Sequence, residues 1–245
     1  MQKLFVIFLL SFSLLNASSI KVAVASNVSY AIQDLTKLFN KQFPNIKVKI
    51  ILGSSGKLTA QIKHGAPYQV FISADMKYPD ALYKQKIALT KPKVYALGSL
   101  ALFSHKKMDF KDGIYTLKST NISKIALANP KTAPYGIAAK EALLNAKIYK
   151  ELKSKFVYGE SISQTLSYAV TATDIGIVAK SSLYAKNMEH YKVNVNWVDV
   201  DARLYTPIKQ GIVLLQKNKQ ARAFYDFLLS NDAKKIFINY GYQLP

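Results

Sequence analysis

The sequence of 245 residues contains no cysteine. A chain without thiols cannot build a disulfide framework or a thiolate metal site, so its stability has to come from packing. Hydrophobic residues make up 50% of the chain, which is enough for a substantial core. The absence of cysteine also excludes the thioether lipid that anchors lipoproteins. We therefore expect a protein that is stabilised by its core and carries no lipid anchor.

Histidine is nearly as scarce, with three residues in the chain. His64, His105 and His190 are widely spaced, and none accompanies a carboxylate pair at metal-ligand spacing. Two catalytic loop patterns are also missing. The turn at 53–58 has only two residues between its glycines and leucine after its lysine, so it is not a nucleotide phosphate loop. It does not match the Gly-x-Ser-x-Gly nucleophile turn either. We predict that the protein is not an enzyme and ligates no metal directly.

Acidic residues are few, 14 against 34 lysines and arginines, which gives a formal net charge of +20. Such an excess is one feature of proteins that bind nucleic acid or an acidic surface. The lysines, however, are spread over nearly every segment, without a basic run or a base-stacking aromatic motif. We therefore expect a solvated basic surface and no nucleic-acid partner.

The first residues have the composition of an export signal. Lys3 supplies a positive start, residues 4–15 are mostly apolar, and residues 16–19 are small or polar. The apolar stretch is too short to span a membrane comfortably. We predict cleavage after Ala17, although Leu15 is a poor match to the small residue preferred three positions before the cut. The mature chain is then exported to the periplasm as a soluble protein.

Apolar runs of strand length alternate with helical patterns along the remainder of the chain. This order indicates a mostly parallel α/β sheet. Two longer apolar segments, 95–103 and 205–215, resemble strands that cross between lobes, and no repeat or flexible linker interrupts the pattern. We predict two α/β lobes, one formed by residues 18–98 plus 206–245 and the other by 99–205. Other strands are predicted at 20–25, 46–52, 70–73, 125–128, 155–158 and 174–179, and helices at 78–85, 137–144, 221–229 and 233–240.

Four strand-to-helix turns, at 26–27, 54–55, 134–136 and 162–163, offer hydroxyl groups, an amide or main-chain N–H groups, without arginine or histidine. Helix N-termini carry partial positive charge and unpaired donors, which suits an anion. In parallel sheets the turns after the strands gather where ligands bind. One small turn is unremarkable as a helix cap, but four aimed at one point would hold a compact oxyanion with neutral donors.

Several sequence blocks belong together: ASN at 25–27, GSSGKL at 53–58, GAPYQVFISAD at 65–75, ANPKTAPYG at 128–136, and SISQ at 161–164 before GIVA at 176–179. These blocks closely resemble the periplasmic molybdate-binding proteins of ABC importers, and the resemblance extends from residue 20 to residue 242. It implies a two-lobed type II periplasmic-binding-protein fold with molybdate or tungstate in the cleft. It also implies a monomer without a cofactor that delivers the anion to an inner-membrane ABC permease and its ATPase.

The resemblance also implies a ligand set. By position, Ser26 and Ser55 would bind the anion through their hydroxyl and main-chain N–H groups. Tyr135 and Ile162 would each give a main-chain N–H. Asn27 would be an extra donor, as in the branch of the family that has asparagine there.

One departure from the family puts a donor in doubt. Many relatives have a ligating tyrosine where this chain has Ala179, and the Tyr135 hydroxyl is a plausible replacement.

Two other functions stay open: a receptor for sulfate or phosphate on the same scaffold, and a hydrolase or transferase acting on a small phosphorylated molecule. The residues do not rank molybdate against tungstate, because the two ions are nearly equal in size and charge.

Overall fold

The computed structural model describes residues 18–245, so the predicted signal peptide lies outside the described residues. In the described part the chain forms two five-stranded sheets, each packed against helices. Within residues 18–245, no helix is both long and apolar enough to cross a membrane. The strands are β1 (Ser18–Ala25), β2 (Ile46–Gly53), β3 (Val70–Ile72), β4 (Lys93–Gly98), β5 (Leu100–Phe103), β6 (Ile125–Ala128), β7 (Phe156–Gly159), β8 (Ile175–Ala179), β9 (Trp197–Asp199) and β10 (Ile208–Leu214).

The helices follow the strands in the alternation that the sequence predicts. Short 3-10 turns, among them Ser26–Val28 directly after β1, fill several of the connections. The α-helices are α1 (Ala31–Gln42), α2 (Ser55–Lys63), α3 (Lys77–Lys84), α4 (Pro134–Asn145), α5 (Tyr149–Leu152), α6 (Ile162–Thr171), α7 (Lys219–Leu228) and α8 (Asn231–Asn239).

The first sheet has the order β2-β1-β3-β10-β4 and the second has the order β7-β6-β8-β5-β9. In the first sheet β1 runs parallel to β2 and β3, whereas β10 is antiparallel to β3 and β4. In the second sheet β6 runs parallel to β7 and β8, whereas β5 is antiparallel to β8 and β9. Both sheets are therefore mixed rather than mostly parallel. The chain enters the second sheet through β5 and returns to the first sheet through β10, and each of these strands is antiparallel to its neighbours.

The chain passes between the sheets twice, between Gly98 and Leu100 and again between Asp199 and Ile208. The apolar segment 95–103, which the sequence suggests is one crossing strand, is two strands in different sheets. Ser99 separates them. The division of the chain at 98/99 and 205/206 stays a prediction, although both points fall within these two connections. We use first lobe and second lobe for the parts built on the first and second sheets.

Each lobe has its own apolar core. In the first lobe, α1 and α7 bring Phe39, Phe224 and Phe227 together, with Phe39 and Phe224 edge to face at 4.9 Å between ring centroids. Such aromatic contacts add to the free energy gained from apolar burial. In the second lobe, Leu127 of β6 and Leu143 of α4 are completely buried in one cluster. Each core stabilises one lobe, and the turns that follow the parallel strands lie where the two lobes face each other.

Two local features differ from the sequence expectation. Helix α4 begins at Pro134, three residues before the predicted start at 137, because proline is well suited to the first helical position. Tyr135 therefore lies inside the first helical turn. The short strand β9, which contains Trp197, is an edge strand that the sequence pattern does not indicate.

Candidate functional site

A small cavity lies between the two lobes, and all five residues of the predicted ligand set line it. The first lobe contributes the ends of β1 and β2 and the segment after β3. The second lobe contributes the starts of α4 and α6. Residues lining the cavity are Ala25, Ser26, Asn27, Ser54, Ser55, Ala74, Ala133, Pro134, Tyr135 and Ile162.

The fold explains why these residues meet. β1, β2 and β3 are parallel neighbours in the first sheet, so the turns that follow them lie at one edge. β6 and β7 are parallel neighbours in the second sheet, and α4 and α6 follow them. The cavity is therefore formed where the carboxyl ends of parallel strands from both sheets face each other, the usual ligand position in such sheets.

Main-chain donors converge on this cavity. Ser55 and Ile162 are the first residues of α2 and α6, and Tyr135 is the second residue of α4. The N–H groups of a first helical turn have no carbonyl partner within their own helix. Ser161 caps α6 by accepting a hydrogen bond from the Gln164 N–H at 3.3 Å, which leaves the Ile162 N–H outside the cap. Three helix starts thus present donors and partial positive charge to one point.

The Ser55 hydroxyl is oriented by the neighbouring strand end. It accepts a hydrogen bond of 2.9 Å from the main-chain N–H of Ala74. This bond occupies a lone pair on Oγ and leaves the hydroxyl proton to be donated. A side chain that is 1% exposed and held in this way is a preorganised donor for an anion.

Ser54 is a lining residue that the sequence analysis did not assign. It occupies the N-cap position of α2, but its side chain makes no capping hydrogen bond. Its Oγ is buried and has no partner among the described residues. Serine at an N-cap normally accepts a hydrogen bond from the helix. Because two serines stand side by side at this turn, the sequence indicates a hydroxyl here but not that both side chains reach the cavity.

Asn27 is bonded through its side chain to other parts of the first lobe. Its Nδ2 donates to Gln210 Oε1 at 2.8 Å and to the Tyr242 hydroxyl at 3.1 Å. These two bonds use both amide hydrogens. The donor that Asn27 has left for an anion is consequently its main-chain N–H, within the 3-10 turn after β1.

The Tyr135 hydroxyl accepts a hydrogen bond of 3.0 Å from Gln210 Nε2 on β10. Burial raises the pKa of this hydroxyl well above its ordinary value. Tyr135 therefore stays neutral. Its phenol is hydrogen-bonded to β10, and its main-chain N–H lies in the first turn of α4. Whether the phenol also replaces the tyrosine missing at Ala179 stays a prediction.

Within the described residues, the cavity lining contains no lysine, arginine, histidine, aspartate or glutamate. Asp75, which follows the lining residue Ala74, and Glu160, two residues before Ile162, are directed to other partners. Asp75 Oδ1 accepts from the Ser73 hydroxyl at 3.1 Å, and Glu160 pairs with Lys57 across the two lobes. Residues 18–245 also contain no group of three potential metal-ligating side chains. The site is neutral and built mainly from donors.

The lobes contact each other directly around the cavity. The main-chain N–H of Gly56 donates to the Thr132 carbonyl at 2.9 Å, and the Ser181 hydroxyl donates to the Asn27 carbonyl at 3.2 Å. Gly56 is required at this close approach, because a Cβ there would lie 2.9 Å from the Thr132 carbonyl oxygen. These contacts describe a closed arrangement that shields the cavity from solvent.

The sequence matches the family model described as bacterial extracellular solute-binding protein over residues 20–243. The chain belongs to this family. Members of the bacterial extracellular solute-binding protein family bind solutes, and this chain is accordingly a substrate-binding protein rather than an enzyme.

Similar proteins match almost the whole chain. The chain is 35% identical over 233 residues to the molybdate-binding protein ModA of Azotobacter vinelandii, covering 93% of this chain and 91% of that protein. It is also 35% identical over 231 residues to ModA of Rhodobacter capsulatus, covering 92% and 88%. The structure of the Azotobacter vinelandii periplasmic molybdate-binding protein matches with a TM-score of 0.85 and 32% identity, covering 92% of this chain and 99% of that one. The two-lobed α/β periplasmic-binding-protein fold expected from the sequence is confirmed.

Proposed function

We propose that this protein captures molybdate or tungstate between its lobes and delivers the anion to an ABC importer. The observation that carries the proposal is the cavity in which three helix starts and the turn after β1 present neutral donors from both lobes. The similarity to molybdate-binding proteins over almost the whole chain supports the same ligand.

The proposed donors are the Ser26 and Ser55 hydroxyls and main-chain N–H groups, together with the N–H groups of Asn27, Tyr135 and Ile162. The buried Ser54 hydroxyl joins this set because it lines the cavity without another partner. Hydrogen bonds to an ionised group contribute about 1.5–3 kcal/mol each. The anion is held whole through its oxygens, without a cofactor and without a side chain that coordinates the metal.

Selectivity follows from the scarcity of acceptors. Phosphate keeps a proton in part of its population near neutral pH, and that O–H needs an acceptor in a dry site. A buried O–H left unpaired costs about 1–3 kcal/mol. The lining carboxylate that would accept it is absent among the described residues. Sulfate carries no proton, but it is too small to reach all donors from both lobes at once.

The remaining parts of the proposal concern location and partners. Export by residues 1–17 would place the protein in the periplasm as a monomer without a lipid anchor. There it would dock on an inner-membrane permease that works with an ATPase. The net charge of +20 would attract a dianion over long range and raise its rate of association.

Titration calorimetry of residues 18–245 with four anions tests the proposal. We expect molybdate and tungstate to bind far more tightly than sulfate, and phosphate to bind most weakly. Asn27 Oδ1 is buried and has no hydrogen-bond partner among the described residues, so the phosphate measurement also tests whether this oxygen accepts the phosphate O–H. Phosphate affinity equal to that for molybdate would contradict both the donor-dominated site and the assignment of the ligand.

A further inference from the structure

Gln210 is a fully buried residue of β10 that links the two halves of the candidate site. Its Oε1 accepts hydrogen bonds from Asn27 Nδ2 at 2.8 Å and from the Tyr95 hydroxyl at 2.6 Å. Its Nε2 donates to the Tyr135 hydroxyl at 3.0 Å. One side-chain amide therefore joins a residue of the first lobe, Asn27, to a residue of the second lobe, Tyr135.

The directions of these bonds are mutually consistent. The Tyr242 hydroxyl donates to the main-chain carbonyl of Asn27 at 2.8 Å and accepts from Asn27 Nδ2, so it holds both the main chain and the side chain of Asn27. Burial raises the pKa of the Tyr95, Tyr135 and Tyr242 hydroxyls, which keeps all three neutral. A buried network of hydrogen bonds of this kind favours one arrangement of its members over others.

Gln210 does not line the cavity, so it acts on the site through its partners. Asn27 and Tyr135 each contribute a main-chain N–H in the proposed function, on which this inference rests. We propose that Gln210 is a positioning residue that sets the spacing between these two donors and so couples lobe closure to anion binding.

The position of Gln210 suits this role. β10 pairs with β4, and the chain leaves β4 for the second lobe directly after Gly98. A Cβ at Gly98 would fall on the Tyr135 hydroxyl and on Gln210 Nε2. Glycine at this position therefore leaves the space in which the bond between the lobes forms, close to where the chain passes from one lobe to the other.

The central test is a double-mutant cycle on anion affinity. Gln210→Met keeps the side-chain length and removes every hydrogen bond of the amide, and Tyr135→Phe removes only its partner hydroxyl. We expect each single variant to weaken molybdate binding by roughly tenfold, the order of one lost buried hydrogen bond. We expect the double variant to bind about as weakly as Gln210→Met alone, because both changes remove the same link.

Tyr225→Phe is the matched control. It also removes a buried phenol oxygen, one that has no partner among the described residues and lies in the α7 core. This variant should bind molybdate like the parent.

The molybdate-to-sulfate affinity ratio distinguishes positioning from stability. A positioning role lowers this ratio in Gln210→Met, whereas a loss of stability alone lowers both affinities together.

Gly98→Ala provides an independent route if Gln210→Met does not fold. This substitution keeps the Gln210 and Tyr135 side chains unchanged but pushes them apart. We therefore expect a similar loss of molybdate affinity, one that does not add to the loss caused by Tyr135→Phe. Additive losses, or unchanged affinity in Gln210→Met or in Gly98→Ala, would overturn the positioning role while leaving the proposed function intact. If the parent protein binds none of the four anions, the proposed function and this inference both fail.

Discussion

The Ser163 hydroxyl, in the first turn of α6, donates a hydrogen bond of 2.9 Å to the main-chain carbonyl of Ser26 in the first lobe. Ser26 thus uses its carbonyl to hold the second lobe, while its hydroxyl and N–H belong to the proposed ligand set. This bond, with the contact between Gly56 and Thr132, is made only when the lobes are together.

Closure should therefore depend on the anion. An anion that contacts both lobes favours the closed form through its differential affinity for the two forms. We expect small-angle X-ray scattering to show a smaller radius of gyration with molybdate than without it. Ser163→Ala, which removes one closing bond, should need more molybdate for the same compaction. Binding shown by calorimetry without any change in scattering would contradict this mechanism.

Ser55→Ala should weaken molybdate binding by about 1.5–3 kcal/mol, because it removes a hydroxyl bonded to a buried dianion. This corresponds to a ten- to hundredfold higher Kd in calorimetry. Ser167→Ala is the control, since Ser167 is exposed on α6 and its hydroxyl bonds only to the Ser163 carbonyl of the same helix. Equal affinity in the two variants would remove Ser55 from the ligand set.

Ser54→Ala separates anion binding from helix capping. Loss of a capping serine costs about 0.5–2 kcal/mol of stability, but the Ser54 side chain makes no capping bond. We expect the free energy of unfolding without anion to be unchanged and molybdate affinity to fall by about tenfold or more. A lower unfolding free energy with unchanged affinity would show that the hydroxyl caps the helix and does not bind the ligand.

The two carboxylates Asp75 and Asp174 should affect stability with opposite sign. Burial raises the pKa of Asp75 above 3.8, so its ionised form destabilises the fold. The free energy of unfolding therefore increases as the pH falls through this raised pKa. Hydrogen bonds from the Lys124 and Ser123 N–H groups lower the pKa of Asp174, so its contribution is present above 3.8 and is lost as the pH falls below it.

Urea unfolding between pH 7 and pH 4 of the two asparagine variants measures this difference. Asp75→Asn should be more stable than the parent near pH 7, with the advantage shrinking toward acid pH. Asp174→Asn should be less stable than the parent near pH 7 and serves as the control. An Asp75→Asn variant that is less stable near pH 7 would show that the hydrogen bonds from Ser73 and Tyr78 outweigh the cost of burial.

The sequence was sufficient to predict the elements that surround the site. Alternating apolar runs and helical patterns locate β1, β2, β6 and their helices to within a few residues, because each is fixed by local burial and turn residues. The gathering of Ser26, Ser55, Tyr135 and Ile162 at one cavity follows from parallel strand order, a property of the whole sheet that the alternation indicates.

The polar network behind the site is not visible in the sequence. Asn27 and Gln210 are separated by 183 residues, and nothing local to Gln210 distinguishes it from a surface glutamine on an ordinary strand. Likewise the position of Tyr242 just after the last helix gives no sign that its hydroxyl holds Asn27. Such pairings depend on where β10 lies relative to both lobes. Local patterns carry no information about that geometry.

The most direct test of the account is a crystal structure of residues 18–245 grown with molybdate, with data collected at the molybdenum absorption edge. We expect one strong anomalous peak in the cavity between the lobes. The anion oxygens should lie about 2.7–3.2 Å from donors of Ser26, Ser55, Tyr135 and Ile162. An anomalous peak elsewhere on the protein, or an anion that contacts donors of one lobe only, would contradict it.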